Sequence, residues 1–117
     1  MKTCEYEIKE NCIKFINGHS IEFKFNIQKV LKVESTVIIL LKIDNGTIYN
    51  QNVFGTSTTG DFKWQVAKTD FFFNGDDCSY TDFTINENGQ LVLFNWCDTA
   101  IIVNIETGVI ISKHSNK

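Results

Sequence analysis

The sequence contains no proline, and this absence limits how a sheet built from it can protect its edges. Proline on an edge strand discourages pairing with another chain, because the residue has no backbone N–H to donate. Charged side chains, β-bulges or a bound partner must therefore protect the edges of any sheet that this chain forms.

Motifs for catalysis or nucleotide binding are also missing. The chain has no G-x-S-x-G elbow, no glycine-rich phosphate loop and no H-E-x-x-H pair. Its two histidines, His19 and His114, lie far apart in the sequence. The four cysteines are spread without a C-x-x-C pair: Cys4, Cys12, Cys78 and Cys97. We predict no catalytic residue, no metal site and no cofactor, and whether these thiols and imidazoles converge in space is left open.

No long apolar segment is present. Residues 1–10 alternate charged and apolar side chains, whereas a signal peptide needs an uninterrupted apolar stretch. The longest apolar run, residues 37–41, is far shorter than the roughly 20 residues that cross a bilayer. We expect a cytoplasmic protein without a membrane partner and with reduced thiols. Residues 37–41 instead indicate a central strand buried on both faces.

Charge argues against nucleic acid as a partner. Eleven basic residues against fourteen acidic ones give a net charge of −3, and the lysines form no run. Affinity for a phosphate backbone comes largely from clustered cations. We therefore predict that the chain does not bind nucleic acid.

What the sequence does have is alternating apolar strands joined by turns that contain glycine. Ten phenylalanines lie mainly in these runs, where their rings suit a pleated surface. The pattern predicts one all-β domain over residues 1–117, either an antiparallel sandwich or a strongly twisted, partly closed sheet of consecutive hairpins. Strands are expected near residues 4–16, 20–26, 28–34, 36–43, 48–54, 62–68, 81–86, 90–97, 100–105 and 109–114.

Three local predictions accompany this fold. Asn17-Gly18 suits a type I′ turn, because both central positions of that turn need positive φ. Residues 27–31 also fit a single helical turn, so we allow at most one short helix. The residues expected to be mostly buried are Phe23, Phe25, Ile39, Leu41, Trp64, Leu93 and Trp96.

Two segments resemble known hairpins. Residues 52–64, with Asn52-Val-Phe-Gly55 and Trp64, resemble the blade motif of quinoprotein-type β-propellers, and residues 103–112 resemble it without the tryptophan. One chain of this length cannot close a ring of blades. The resemblance therefore implies only that Trp64 and Trp96 lie on hairpin strands and pack against the sheet. The order of parts over residues 20–114 also resembles small uncharacterised bacterial proteins of one β-domain.

Residues 69–80 are explained least by folding. Three consecutive phenylalanines cannot all point inward from a strand, since neighbours alternate faces. Aromatic residues surrounded by carboxylates are typical of a binding surface, although the loop could instead cover one end of the sheet. The predicted partner-binding residues are Asp70, Phe71, Phe72, Phe73, Asp76 and Asp77.

Three hypotheses about the function follow, each from a different class. A small acidic domain without catalytic motifs resembles the bacterial immunity proteins that neutralise nuclease toxins, which implies a non-enzymatic inhibitor whose partner is a basic toxin domain. Acidic charge would then speed association with that partner. The alternative is a small β-barrel enzyme or ligand-binding domain with its site in the concavity of the sheet. A structural subunit of a larger assembly is a third hypothesis.

Overall fold

The computed structural model describes residues 6–44, 47, 49, 51–67, 79–95 and 99–115. Within these residues the chain is all-β and forms no helix, so the described part has none that could span a membrane. The strands are β1 (Tyr6–Lys9), β2 (Cys12–Phe15), β3 (Ser20–Glu22), β4 (Ile27–Val33), β5 (Thr36–Leu41), β6 (Val53–Ser57), β7 (Phe62–Gln65), β8 (Tyr80–Ile85), β9 (Leu91–Asn95), β10 (Thr99–Val103) and β11 (Ile110–Ser115).

These strands form three antiparallel sheets, none of which closes into a barrel. We call them the small sheet (β1-β2-β3), the middle sheet (β4-β5-β6-β7) and the outer sheet (β8-β9-β10-β11). In each of them every strand pairs with the next one along the chain. The predicted antiparallel fold of consecutive hairpins is confirmed, and the segment considered for a helical turn begins β4.

Strand β5 connects the three sheets because both of its faces are buried. All six residues are buried, and they alternate between two cores. Ile38 and Leu40 enter the main core, between the middle and outer sheets, whereas Val37, Ile39 and Leu41 enter the small core, between the middle and small sheets. Each such side chain contributes about 1.5–3 kcal/mol by leaving water. The prediction that residues 37–41 form a doubly buried strand is confirmed.

Trp64 is the largest side chain of the main core and spans its two sheets. It lies on β7, is 4% exposed, and its indole Nε1 donates a hydrogen bond to the carbonyl of Ile105 at 2.6 Å. Gly55 and Gly108 lie against the ring, and a Cβ at either would approach it to 2.3 or 2.6 Å. Glycine at these two positions therefore makes room for the indole, and Trp64 occupies a hairpin strand as expected.

Aromatic pairs form the margin of the small core. Phe23 and Phe25, which were expected to be mostly buried, are partly buried against this core and lie beyond the end of β3 at Glu22. Phe23 packs on Phe54 with ring centroids 4.9 Å apart, and Phe25 packs on Tyr49 at 5.4 Å. Ile39, Leu41, Trp64 and Leu93 are buried as predicted. Trp96 lies outside the described residues.

Polar side chains join the middle and outer sheets at the start of β8. Lys29 Nζ donates to Asp82 Oδ1 at 2.8 Å and to the Phe83 carbonyl at 2.7 Å, and it lies 4.6 Å from the centre of the Phe83 ring. Gln28 Nε2 donates to the Thr81 carbonyl at 2.9 Å. The side chains of β4 thus occupy backbone acceptors on an edge strand of the other sheet.

Buried Asn52 makes a third link between these sheets. Its Nδ2 donates to the carbonyls of Leu41 and Tyr80, both at 2.9 Å, and its Oδ1 accepts the Tyr80 N–H at 3.0 Å. A buried amide that satisfies three backbone groups at once fixes the segments carrying those groups relative to each other.

Two turns hold glutamate in an unfavourable backbone conformation. The predicted strand over residues 4–16 is interrupted at Glu10, which has φ 54°, and the hairpin from β4 to β5 turns at Glu34, with φ 56°. Side chains carrying a Cβ are disfavoured there, which is why glycine or asparagine usually marks such turns. The missing signal explains why the first turn was not predicted.

Trp64→Ala is expected to lower the free energy of unfolding by about 3–5 kcal/mol, because it leaves a cavity between Gly55 and Gly108. Trp64→Phe should cost less, since it keeps most of the ring and loses the hydrogen bond to Ile105. Urea denaturation measures both. Wild-type stability of the alanine variant would contradict the packing described.

Glu34→Gly is expected to be more stable than Glu34→Ala by about 1 kcal/mol, because glycine tolerates positive φ without a Cβ clash. The same pair of substitutions at Glu87, whose φ is not positive, serves as the matched control and should give the opposite order. Urea denaturation of the four variants decides. An alanine variant at position 34 that is at least as stable as the glycine variant would show that the backbone at Glu34 is unstrained.

Candidate functional site

The residues predicted to bind a partner lie outside the described residues. Asp70, Phe71, Phe72, Phe73, Asp76 and Asp77 belong to the segment 68–78, so their role stays a prediction. A second candidate surface is found among the described residues, at the end of the molecule where the hairpin turns meet.

Five turns assemble at that end. Gly60 lies against Phe15 and His19, which brings the β6–β7 turn to the β2–β3 turn. Glu106 reaches Lys63, Thr36 and Ser35, which brings the β10–β11 turn to the middle sheet. We define the turn face as these turns and the first two residues of β7: residues 16–19, 34–35, 58–63, 86–90 and 104–109.

Side-chain oxygens fix the shape of three of these turns. Ser57 Oγ accepts the backbone N–H groups of Thr59 and Asp61, and Asn86 Oδ1 accepts those of Asn88 and Gln90. Asn104 does the same in the β10–β11 turn. Asparagine and serine commonly bond to backbone a few residues ahead in this way. These bonds stabilise the conformations of the three turns.

Glycine completes the β2–β3 turn in a conformation other than the one predicted. In the β2–β3 turn Gly18 has φ 92°, and its N–H bonds to Phe15 while Phe15 N–H bonds to His19. Asn17 has no positive φ, so the type I′ prediction is wrong. The bonds instead describe a three-residue loop that ends in a left-handed glycine. The extra residue suits strands that twist strongly at their ends.

A cluster of polar side chains, from buried Thr36 to exposed Glu106, attaches the β10–β11 turn to the middle sheet. Lys63 Nζ donates to Glu106 Oε1 at 2.9 Å and to Thr36 Oγ1 at 2.7 Å, and Thr36 Oγ1 donates to Glu106 Oε2 at 3.0 Å. The hydrogen bond from Lys63 lowers the pKa of the Glu106 carboxyl, and that from Thr36 lowers it further. The carboxylate is thereby held charged beside the turn.

The turn face combines apolar side chains with carboxylates. Phe62, Ile16 and Val109 are 67%, 63% and 60% exposed, the highest values among large apolar side chains in the part of the chain that the structure describes. The titratable side chains of the turn face are four carboxylates, one lysine and one histidine: Glu34, Asp61, Glu87, Glu106, Lys63 and His19. The lysine is already paired with Glu106, which leaves the surface acidic.

A small open cleft lies within the turn face. It has a volume of about 190 Å³ and is lined by Val33, Glu34, Gly89, Asn104, Ile105 and Glu106. Apolar atoms of Val33 and Ile105 are present in the lining, together with two carboxylates. Such a lining suits a long side chain with an apolar stem and a cationic end.

Comparison with known proteins assigns the chain to a family. The family described as "Domain of unknown function (DUF7957)" matches residues 3–115. The chain belongs to this family. No curated protein and no solved structure matches it.

In this DUF7957 chain the described candidates for catalysis remain apart. His19 and His114 are exposed on different sheets, and His114 Nε2 lies 3.0 Å from Ser112 Oγ. Cys12 is half-buried on the small sheet, where it pairs with Lys9 and Glu22 across the strands. Within the described residues no three metal-ligating side chains come together. Cys4, Cys78 and Cys97 lie outside those residues.

The turn face was not predicted from the sequence, although one signal for it was present. An asparagine or serine three or four residues before a glycine occurs at Ser57, Asn86 and Asn104, and each begins a capped turn. The convergence of those turns had no such signal. It depends on contacts between residues as distant as Lys63 and Glu106.

Acid should weaken the protein partly through its two inter-sheet carboxylates. Bonding to Lys29 and to the Phe83 N–H lowers the pKa of Asp82, as Lys63 does for Glu106. A carboxyl whose pKa is lower when folded stabilises the protein above its unfolded pKa of about 4, and this stabilisation is lost as pH falls through the folded pKa. The double variant Asp82→Asn, Glu106→Gln should therefore lose less stability than wild type as the solution is acidified.

Urea denaturation over a pH series measures this slope. Lys29→Met with Lys63→Met is the companion variant, and it should also flatten the slope because the carboxyls lose the cations that lower their pKa. An unchanged acid slope in both variants would show that these pairs do not couple folding to protonation.

Proposed function

We propose that the protein is a non-enzymatic binding module that recognises a basic protein through its turn face. One observation carries this proposal: the three most exposed large apolar side chains of the described chain, Phe62, Ile16 and Val109, all lie on that one end. Scattered exposed apolar residues are normal, but their concentration on one surface is typical of an interaction site.

The charges around these side chains indicate the chemistry of the partner. Glu34, Asp61 and Glu87 belong to the same face, and the one lysine there is held by Glu106. An apolar centre with a charged rim is the usual composition of a protein interface. Negative rim charge favours fast association with a positively charged partner, and like charge suppresses wrong partners.

The backbone of the turn face favours binding without rearrangement. The side-chain caps at Ser57, Asn86 and Asn104 restrict three turns. The hydrogen bond from Trp64 to the Ile105 carbonyl also ties the β10–β11 turn to the middle sheet. A surface that is already ordered loses little conformational entropy when a partner docks. Rigidity of this kind supports a recognition role for the turns.

The finer form of the proposal is an immunity-type inhibitor that occludes a basic, nuclease-like toxin in the cytoplasm. Acidic net charge and an acidic binding face support it, since such toxins carry positive charge for nucleic acid. The predicted loop residues, from Asp70 to Asp77, form a second candidate surface for the same partner. The barrel alternative needs a closed sheet, whereas the three sheets of the described chain stay open.

Capture of the partner from the native host, followed by binding kinetics, tests the proposal. The variant Glu34→Lys, Glu87→Lys should slow association several-fold and weaken its salt dependence, because rim charges steer the encounter. Phe62→Ala should chiefly speed dissociation and cost at least about 1 kcal/mol of binding free energy.

A matched control separates the turn face from net charge. Glu10→Lys with Glu22→Lys makes the same change in charge on exposed residues of the small sheet at the end opposite the turn face, and it should leave association close to wild type. Asp76→Lys with Asp77→Lys and Phe72→Ala test the predicted loop in parallel. Equal effects of the two glutamate pairs, with no effect of Phe62→Ala, would overturn the turn face as the site.

A further inference from the structure

Two asparagine-glycine pairs lie in turns of the described chain, and they differ in one respect. Asn17-Gly18 and Asn88-Gly89 are both exposed, and each glycine has positive φ and no atom within 4 Å of an added Cβ. Both glycine N–H groups also donate to the carbonyl three residues earlier, at 2.9 and 3.0 Å. The environment of the two glycines is therefore closely similar.

The asparagine side chains are used differently. In the β2–β3 turn the residue at the first position is Phe15, which has no side-chain acceptor, so Asn17 Oδ1 accepts the His19 N–H at 3.1 Å. In the β8–β9 turn that role belongs to Asn86, whose Oδ1 accepts the N–H groups of both Asn88 and Gln90. The side-chain amide of Asn88 forms no hydrogen bond with the described residues.

We propose that Asn88 is a site of spontaneous deamidation in the folded protein. The backbone nitrogen of Gly89 attacks the side-chain carbonyl carbon of Asn88, and ammonia leaves as a five-membered succinimide closes. Water then opens the ring to give aspartate or isoaspartate, so the net change consumes one water and releases one ammonia. Glycine favours this step because it has no Cβ to obstruct the approach.

The reaction needs only a local opening of the turn. The Gly89 N–H must leave the Asn86 carbonyl, and the amide of Asn88 must rotate toward it, which breaks no side-chain bond. At Asn17 the same rotation also breaks the bond to His19. Asn88 should consequently react faster than Asn17, although both belong to the same dipeptide.

The product would change the turn face. Gly89 lines the cleft that contains Glu34 and Glu106, so aspartate at position 88 adds negative charge next to it. Provided that the proposed function holds, this charge should speed association with a basic partner. The modification itself does not depend on that function.

Mass spectrometry after prolonged incubation at mildly alkaline pH tests the modification. Fragmentation should place the gain of about one mass unit at Asn88 before Asn17, and Asn88→Gln should abolish it at that position while leaving Asn17 unchanged. A synthetic peptide of residues 82–94 gives the unfolded rate. Asn17 reacting as fast as Asn88, or Asn88 staying intact after the peptide has converted, would overturn the proposal.

The effect of deamidation on binding is tested separately, with variants that carry the product's charge. Asn88→Asp should increase the association rate with the captured basic partner, whereas Asn26→Asp, which adds the same charge outside the turn face, should leave the rate close to wild type. An unchanged rate for Asn88→Asp would overturn the consequence for binding, and the mass measurement would still decide whether the site is modified.

Discussion

The contact between Trp64 and the β10–β11 turn determines how the two large sheets are placed. Its indole donates to the Ile105 carbonyl and packs between Gly55 and Gly108, so one side chain fixes a strand of the middle sheet against a turn of the outer sheet. The next residues on each side, Lys63 and Glu106, then meet as an ion pair. The turn face exists because this contact brings the turns of separate sheets to the same end.

Local sequence chemistry predicted most of the strands, because alternation and glycine are local signals. Residues 37–41 were recognised as doubly buried from their unbroken apolar run, and the hairpins around Gly60, Gly89 and Gly108 lie where expected. The turn at Glu10 was missed, since glutamate at positive φ carries no sequence signature. Phe23 lies at the margin of the small core, beyond the end of β3, a position that alternation alone does not indicate.

The candidate site was far less accessible to sequence reasoning. The charged and aromatic segment from Asp70 to Asp77 was predicted as the site because its residues are adjacent in sequence. The turn face gathers Ile16, Phe62 and Val109 from three hairpins, and their placement at one end of the molecule follows from how the sheets pack. Single residues such as Ile16 look like ordinary turn positions until the fold places them together. The one part of this surface with a sequence signal is the set of capping residues, which lie three or four positions before a glycine.

Because the chain has no proline to protect its sheet edges, the bonds from Gln28 and Lys29 have a second role in protecting one of those edges. Their side chains occupy the carbonyls of Thr81 and Phe83 on β8, an edge strand whose open acceptors would otherwise suit pairing with another chain. The same bonds hold the middle and outer sheets together. Separation of the middle and outer sheets therefore also exposes the free backbone acceptors of β8 to pairing with another chain. Variants that weaken this contact should aggregate more readily than their loss of stability alone would suggest.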